Sequence, residues 1–447
     1  MIIAREVSIG LLFRTYTIEF ENLKSYIKIR KVGSNFIVTL HDDVPDEVSK
    51  VDYLKARDLY FTKGEHQALK FLDKQVKKLD IERDTVLAIW NRWINYYGAL
   101  TSFLLCEHFS DIYISSSNIY VMHFDFGLCY TDFVSTPHMA GEQIVEFLVS
   151  KVAERTRSPV TAYMPTLSVT DRELRARFSI SIPPVSDPYI HVRLMPRKPW
   201  TFPELVERDS LTIDDAALLW FLFDRKIPIL IVGPMGSGKT SLANAIAFTS
   251  NPSSFKAIIS DVDEMYLPYH NVIKLFERRS YGLGIKSIKK DELIAHALRT
   301  GVDYIIVNEV RTRDEVRAWL DAVTTGHGGV TTFHANDISS LRIRLENMIG
   351  TDKILNEVAV VVMQVEKIPE DKHGIRVLKN IRRISKIYLP KSIDVDTVEL
   401  EVRKTIIAQM LNLNVRQQVS ILEQFYSRID ELIEKLYEDG VGAGGGI

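Results

Sequence analysis

The sequence predicts an α/β protein of two or three domains, the largest built on a mainly parallel sheet covered by helices. Three observations carry this expectation. The chain has 447 residues, more than one ordinary core organises. From Leu205 to about Leu389, segments of helical spacing alternate with short apolar runs and Gly-rich turns, as parallel strands joined by helices require. Upstream, apolar and polar residues alternate with period two in runs rich in Val, Ile and aromatics, which marks half-buried strands of a smaller α+β unit.

Composition narrows the class. Hydrophobic residues make up 46% and charged residues 26%, the balance of a globular protein rather than a disordered one. Lys plus Arg number 56 against 58 Asp plus Glu, a formal charge of -2, so a dedicated and sequence-specific nucleic-acid binder is not expected. The longest apolar runs, Ala216–Phe223 and Ile227–Val232, fall short of the roughly 18 residues a membrane span needs. The N-terminal Met-Ile-Ile-Ala-Arg-Glu lacks a charged-then-apolar signal pattern. The two cysteines, Cys106 and Cys129, read as inert buried thiols and cannot supply a disulfide framework or a four-cysteine zinc site. A soluble, intracellular protein without direct membrane insertion is expected.

Residues 1–97 read as an accessory packing or partner-binding region, with strands at Ser25–Arg30 and Asn35–Leu40 and helical spacing at Glu65–Lys78 and Ile81–Tyr97. Residues 98–197 read as a second α+β unit. Its strands are expected at Asp111–Ser115, Ile119–His123, Leu128–Asp132, Arg175–Ile182 and Tyr189–Leu194, with a helix over Ala140–Arg155. The stretch Pro196–Pro203 carries three prolines, and a linker is placed at 198–204. Residues 205–390 form the main domain. Residues 391–447 are helical and then Gly-rich. Leu422, Phe425, Ile429, Leu432 and Leu436 form one apolar stripe expected to dock within the chain, and the end 440–447 is expected to be disordered.

The strongest chemical signal follows the apolar run Ile227–Val232. Gly233-Pro-Met-Gly-Ser-Gly-Lys-Thr240 has the spacing Gly, four residues, Gly-Lys-Thr, and Ser241 opens a helical segment. Gly233, Gly236 and Gly238 let the backbone around Ser237 wrap so that N–H groups point at phosphate oxygens. The helix N-terminus adds its positive dipole end. Lys239 is placed to reach the β- and γ-phosphates, and Thr240 to ligate magnesium.

Hydrolysis also needs carboxylates near the metal and the attacking water. The run Asp303–Arg311 places four apolar residues before Asn308 and Glu309, so Glu309 is expected at a strand's carboxyl end, where ligands gather in open α/β sheets. A second run, Ala257–Glu264, ends in Asp261, Asp263 and Glu264, any one of which is a candidate general base. The third element, Thr324–Ala335, is a Gly-rich turn followed by a strand. His327 and His334 within it lack companions at zinc-ligand spacing, and His334 reads as a hydrogen-bonding sensor of the γ-phosphate.

In this order the motifs resemble those of the type II/IV secretion system ATPase superfamily, the motors of pilus assembly, type II secretion and the archaeal flagellum, and especially its archaeal branch. The Walker A loop matches at Gly233–Thr240 and the acidic box looks like Ser260–Glu264, with Glu264 at the catalytic glutamate's position. Walker B looks like Ile305–Arg311, preceded by a fitting Leu298-Arg299, and the His box matches Gly326–Ala335. Upstream, Phe109–Ile114 and Ile119–His123 resemble the family's N-terminal domain, whose arginines act on the nucleotide; Arg177 and Arg193 match those strands. The chain departs at Ser260, where the family has Glu, at Asn308, where it has Gly, and at Val302, where Pro is common.

The resemblance implies a RecA-like P-loop ATPase domain behind a smaller, PAS-like α+β domain, working as a homo-hexamer with ATP and Mg2+. It implies Glu264 as water activator, Glu309 at the magnesium, and Arg177 or Arg193 as an arginine supplied in trans, with Asp261, Arg299, Arg311 and His327 as further candidates. It also implies an integral membrane platform protein of a pilus or secretion system as partner, with the motor cytoplasmic and peripheral at the inner face of the cell membrane. Two other classes stand beside it. One is a nucleic-acid or conjugation-type translocation ATPase, for which Lys379, Arg382, Arg383 and Lys386 make the tempting basic strand; that strand reads instead as a solvated or subunit-facing edge. The other is a P-loop switch or kinase, disfavoured because no Asn-Lys-x-Asp guanine-reading motif occurs and the His box follows.

Overall fold

A computed structural model describes residues 11–438 other than 21–22, 34, 117, 125, 132–140, 196, 279–285 and 373–374. The chain divides into two units, the first ending at Met195 and the second comprising the remainder.

Among the described residues, the first unit is built on a nine-stranded sheet. Its N-terminal strands β1 (Leu11–Phe20), β2 (Leu23–Val32) and β3 (Asn35–Asp42) form an antiparallel meander. Helices α1 (Tyr53–Lys63), α2 (Glu65–Leu79), α3 (Arg83–Asn95) and α4 (Leu100–Leu105) follow. Then come β4 (Phe109–Ser115), β5 (Ile119–His123), β6 (Gly127–Thr131), α5 (Gly141–Thr156), β7 (Thr166–Asp171), β8 (Ala176–Ser181) and β9 (Tyr189–Leu194). The strand order is β1-β2-β3-β6-β5-β4-β9-β8-β7.

The boundary expected between residues 97 and 98 is therefore not a break in the fold. Strand β3 pairs in parallel with β6, Ile37 opposite Tyr130 and Val38 opposite Thr131, so the first strands extend the sheet of the second region. Ile27, Ile29 and Val38 share one core with Ile112, Val121 and Trp93, which gives residues 1–97 nothing separate to fold around. A buried ion pair adds to the junction: Arg92 Nη1 donates to Asp42 Oδ1 at 3.0 Å, and Ser25 Oγ donates to the same oxygen at 2.6 Å. Burial alone would raise the Asp42 carboxyl, but Arg92 and Ser25 together hold it below its ordinary value.

The second unit begins where a linker is expected, yet α6 (Phe202–Glu207) already starts inside 198–204, capped by the Thr201 side chain. Helix α7 (Ile213–Asp224) opens on a capping box between Thr212 and Asp215. There follow β10 (Ile229–Val232), α8 (Lys239–Phe248), β11 (Lys256–Ser260), β12 (Val272–Phe276), α9 (Lys290–Ala297), β13 (Tyr304–Val307), α10 (Arg313–Thr324), β14 (Gly328–Phe333) and α11 (Ile338–Ile349). The long strands β15 (Ala359–Lys372) and β16 (Ile375–Tyr388) precede α12 (Thr397–Met410) and α13 (Val415–Glu438). The sheet order is β12-β11-β13-β14-β10-β15-β16, parallel except that β16 runs antiparallel to β15.

Alternate residues of the central strands feed opposite faces. Ile229, Ile231, Ile258 and Ile306 pack with Trp220, Phe223 and the C-terminal helices, while Leu230, Val232, Ile259 and Val307 pack with Trp319 and the other helical layer. Burial on both faces is why these strands read as unbroken apolar runs in the sequence.

The C-terminal stripe docks within this unit, with Leu422 at 0% and Phe425 at 1% exposure; the side chains of Leu432 and Leu436, and residues 440–447, lie outside the described residues. Beneath it Arg403 donates to Asp224 and Glu399 at 3.0 Å each, and the Tyr426 hydroxyl donates to the Asp224 carboxylate. Burial pushes the Asp224 carboxyl up to about 6, against the pull of Arg403 and Tyr426. Its folded value lies above the ordinary 3.8, so the stability it contributes is full below about pH 4 and is lost as pH rises through about 6. Thermal melts of wild type and Asp224→Asn should therefore show wild type losing ground to the variant between about pH 4 and pH 7, and a constant difference above. A difference unchanged across that window would contradict the assignment.

Candidate active site

The loop between β10 and α8 is shaped by glycines. Gly238 caps α8 with φ 90° and ψ 16°, a left-handed conformation that a residue with a Cβ adopts only under strain. A Cβ on Gly233 would lie 2.7 Å from both the Met363 carbonyl oxygen and Ser237 Oγ, so the loop closes only without one. Ser237 is fully buried, and its hydroxyl has no hydrogen-bond partner in the protein. An orphaned hydroxyl beside a helix N-terminus matches the oxygens of a phosphate.

Lys239 is 8% exposed and turns back over the loop, its Nζ donating to the carbonyls of Gly233 and Pro234 at 2.9 Å each. Burial holds its ammonium below the ordinary lysine value, with Glu309 acting in the opposite direction. Ser241 follows half-buried in the first turn of α8.

Next to the loop a polar relay crosses three elements. Thr240 Oγ1 donates to Asn308 Oδ1 at 3.3 Å, and Asn308 Nδ2 donates to Glu264 Oε2 at 3.2 Å. Asn308 stands just past β13 and is 5% exposed, and its backbone N–H donates to the Ile259 carbonyl at 2.8 Å. The amide thus joins the hydroxyl expected to ligate magnesium to the carboxylate expected to activate water. A glycine at this position has no side chain to do so, which gives the Asn308 departure a physical purpose.

A second cluster gathers around Glu309. Its Oε1 lies 2.7 Å from His334 Nε2, its Oε2 pairs with the Arg311 guanidinium, and Arg311 Nη1 donates to Asp261 Oδ2 at 3.2 Å. His334 comes within reach because β14 runs parallel to β10 with Phe333 opposite Val232, so both strands end at one edge of the sheet. Burial, with Lys239 beside it, keeps the His334 ring below its ordinary value of 6.5 despite Glu309, which leaves it neutral near pH 7. Asp263 faces away, paired with Lys274 at 2.7 Å.

His327 and Arg299 lie elsewhere in the second unit. His327 precedes β14, a whole strand away from His334, and its Nδ1 lies 3.2 Å from the Ala322 carbonyl near the end of α10. The shared box of sequence hides that β14 separates the two rings. Arg299 is exposed in the turn after α9. Arg177 and Arg193 belong to the first unit. They stand opposite one another on β8 and β9, with Asp111 opposite Arg193 on β4, so the three share one face of that sheet. Arg193 Nε donates to Asp111 Oδ1 at 3.1 Å, and Arg177 Nε to Ser168 Oγ at 3.1 Å.

One contributor escapes a motif-based reading. Arg382 on β16 donates its Nε to the Gly236 carbonyl at 2.8 Å and passes over Gly238. The basic strand expected to be a solvated or subunit-facing edge does lie at the edge of its sheet, and from there Arg382 also supports the phosphate loop. Nothing near Arg382 in sequence announces this, because the loop lies far upstream.

The model of the type II/IV secretion system protein family matches residues 110–441. The chain belongs to that family. The match covers the strands carrying Arg177 and Arg193 as well as the whole second unit's sheet, and among the described residues no helix is long and apolar enough to cross a membrane.

Among family relatives, the uncharacterized protein MJ0900 of Methanocaldococcus jannaschii is 28% identical over 62% of this chain and 50% of its own length. The conjugal transfer protein TrbB of Rhizobium radiobacter is 28% identical over 50% of this chain and 70% of its own. The solved ATPase DotB of Yersinia pseudotuberculosis is 16% identical, covering 80% of this chain and 91% of that one, with a TM-score of 0.46. The chain spans only half the length of MJ0900.

Proposed function

We propose that this family member is an ATP-hydrolysing motor, a homo-hexameric ring that uses Mg2+ and powers assembly of a type IV pilus-like filament or protein secretion across a membrane. The observation that carries the reading is the relay from Thr240 through Asn308 to Glu264, set beside a glycine loop with the unpaired Ser237 hydroxyl. These residues fit a nucleotide with its metal. Thr240 and Glu309 would hold magnesium, which when bound neutralises charge on the β- and γ-phosphate oxygens. Lys239 exchanges its two loop carbonyls for phosphate oxygens. Glu264, oriented by the Asn308 amide, takes a proton from the attacking water. Glu309 and His334 stand as a coupled pair at the γ-phosphate end, and Arg311 with Asp261 fixes Glu309. The partner fitting this role is an integral membrane platform protein, with the motor cytoplasmic and peripheral at the inner face of the cell membrane.

In the ring, Arg193 or Arg177 acts on a neighbouring subunit's nucleotide. An arginine meeting developing γ-phosphate charge is worth about 10³–10⁵ in rate, so its loss should be near-total. Arg193→Ala and Lys239→Ala proteins, each inactive alone, are dissociated, mixed equally and reassembled. About a quarter of random interfaces then regain both intact halves, and activity should return. Persistent inactivity, with exchange verified by labelled subunits, would mean that Arg193 acts in its own subunit or only structurally; repeating the experiment with Arg177 identifies the finger. The conjugal-transfer relative supports a second reading, a translocation ATPase, for which single-stranded DNA should stimulate turnover in a salt-dependent way.

A further inference from the structure

Glu309 is the one residue of the cluster whose backbone is strained. Its φ is 57°, the left-handed region that side chains larger than glycine and asparagine rarely adopt. The chain on either side is ordinary: the Asn308 N–H donates to the Ile259 carbonyl at 2.8 Å, and the Val310 N–H donates to the Thr332 carbonyl at 3.0 Å. The reversal is therefore confined to Glu309 itself, between two neighbours that hold to adjacent strands. It decides which way the carboxylate leaves the chain, and so whether it meets His334 and Arg311. Strain of this kind persists only where the surroundings over-determine it.

The Glu309 carbonyl oxygen accepts from Lys290 Nζ at 2.9 Å. Lys290 is 1% exposed and is the first residue of α9. Both facts count against a lysine there. Burial penalises the ammonium, and the positive end of the helix dipole repels it. A lysine serving only to fill space would be replaced at no loss by an apolar residue of similar length. The groups that compensate it are the Glu309 carbonyl and the Glu277 carboxylate, with which it interacts electrostatically.

We propose that Lys290 is a positioning residue: its buried ammonium holds the Glu309 carbonyl and thereby keeps Glu309 in the left-handed turn that presents its carboxylate to His334 and Arg311. The effect on turnover rests on the ATP-hydrolysing reading of the site; the effect on Glu309 does not.

The test uses the full chain with Lys290→Met, which keeps the length of the side chain and removes the charge, and Lys290→Gln, which keeps a donor. Two quantities are read beside thermal melts. The first is the ring ¹⁵N signal of His334, identified by its loss in His334→Gln. The second is turnover, measured together with the affinity for a fluorescent ATP analogue. In Lys290→Met the His334 signal should move as it does in Glu309→Gln, and kcat should fall about a hundredfold, the scale for a group displaced by about 1 Å, with affinity unchanged. Lys290→Gln should fall between wild type and Lys290→Met, and it carries the test should Lys290→Met fail to fold. An unmoved His334 signal in a folded variant overturns the proposal, as does a loss of affinity equal to the loss of turnover. A moved signal in a protein whose wild type releases no phosphate would leave the positioning role standing and remove the hydrolytic one.

Discussion

Lys239→Ala is expected to weaken nucleotide binding by about 10- to 150-fold. The ammonium is buried within the loop, and without ligand it rests on the carbonyls of Gly233 and Pro234, with Glu309 as an electrostatic partner. A bound phosphate offers a full negative charge instead, and a hydrogen bond between charged partners in such a place contributes ~1.5–3 kcal/mol more than a lost one, about 10–150-fold in affinity. Alanine also leaves both carbonyls without their donor, so a modest loss of melting temperature should accompany the loss of binding. Titration of a fluorescent ATP analogue measures the first and a thermal melt the second. Near-normal affinity in a folded Lys239→Ala would mean that the loop backbone alone carries the phosphates.

Glu264→Gln and Glu309→Gln are expected to retain binding and lose turnover, for different reasons. The Asn308 amide donates to the Glu264 carboxylate, and glutamine keeps its shape while losing the ability to take a proton. General-base removal costs about 10²–10⁴ in rate. Glu309 lies in a web with His334, Arg311 and, through it, Asp261, so glutamine there also releases Arg311. Asn308→Gly, which deletes the amide, should resemble a weakened Glu264→Gln rather than Glu309→Gln. Phosphate release beside analogue titration separates these outcomes. Near-normal turnover in Glu264→Gln would transfer the base to Glu309 or Asp261.

What the sequence disclosed and what it hid divide along the range of the interactions. The phosphate loop was legible because its function lies in the conformations of six consecutive residues between Val232 and Lys239, three of them glycines. The parallel sheet was legible because strands buried on both faces appear as continuous apolar runs. The nine-stranded sheet of the first unit was not, since the pairing of Ile37 with Tyr130 joins strands whose own patterns are merely amphipathic. The same limit applies at the site. Asn308 looked like a departure until the Thr240 hydroxyl and the Glu264 carboxylate were found at its two ends. Arg382 and Lys290 reach the site from β16 and α9, and no local pattern marks either one. His327 misled in the opposite sense, because nearness in sequence to His334 conceals the full length of β14 between them.

The central claim is that this chain hydrolyses ATP with the loop at Gly233–Thr240 and the relay ending at Glu264. The most direct measurement is phosphate release from ATP by the purified full chain with Mg2+, run in parallel on wild type, Lys239→Ala and Glu264→Gln under conditions where analogue binding to wild type is saturated. Wild type should release phosphate steadily, Lys239→Ala none above background, and Glu264→Gln should hold bound but unhydrolysed nucleotide. Release that persists in Lys239→Ala, or wild type that binds nucleotide to saturation and releases no phosphate, would contradict the central claim.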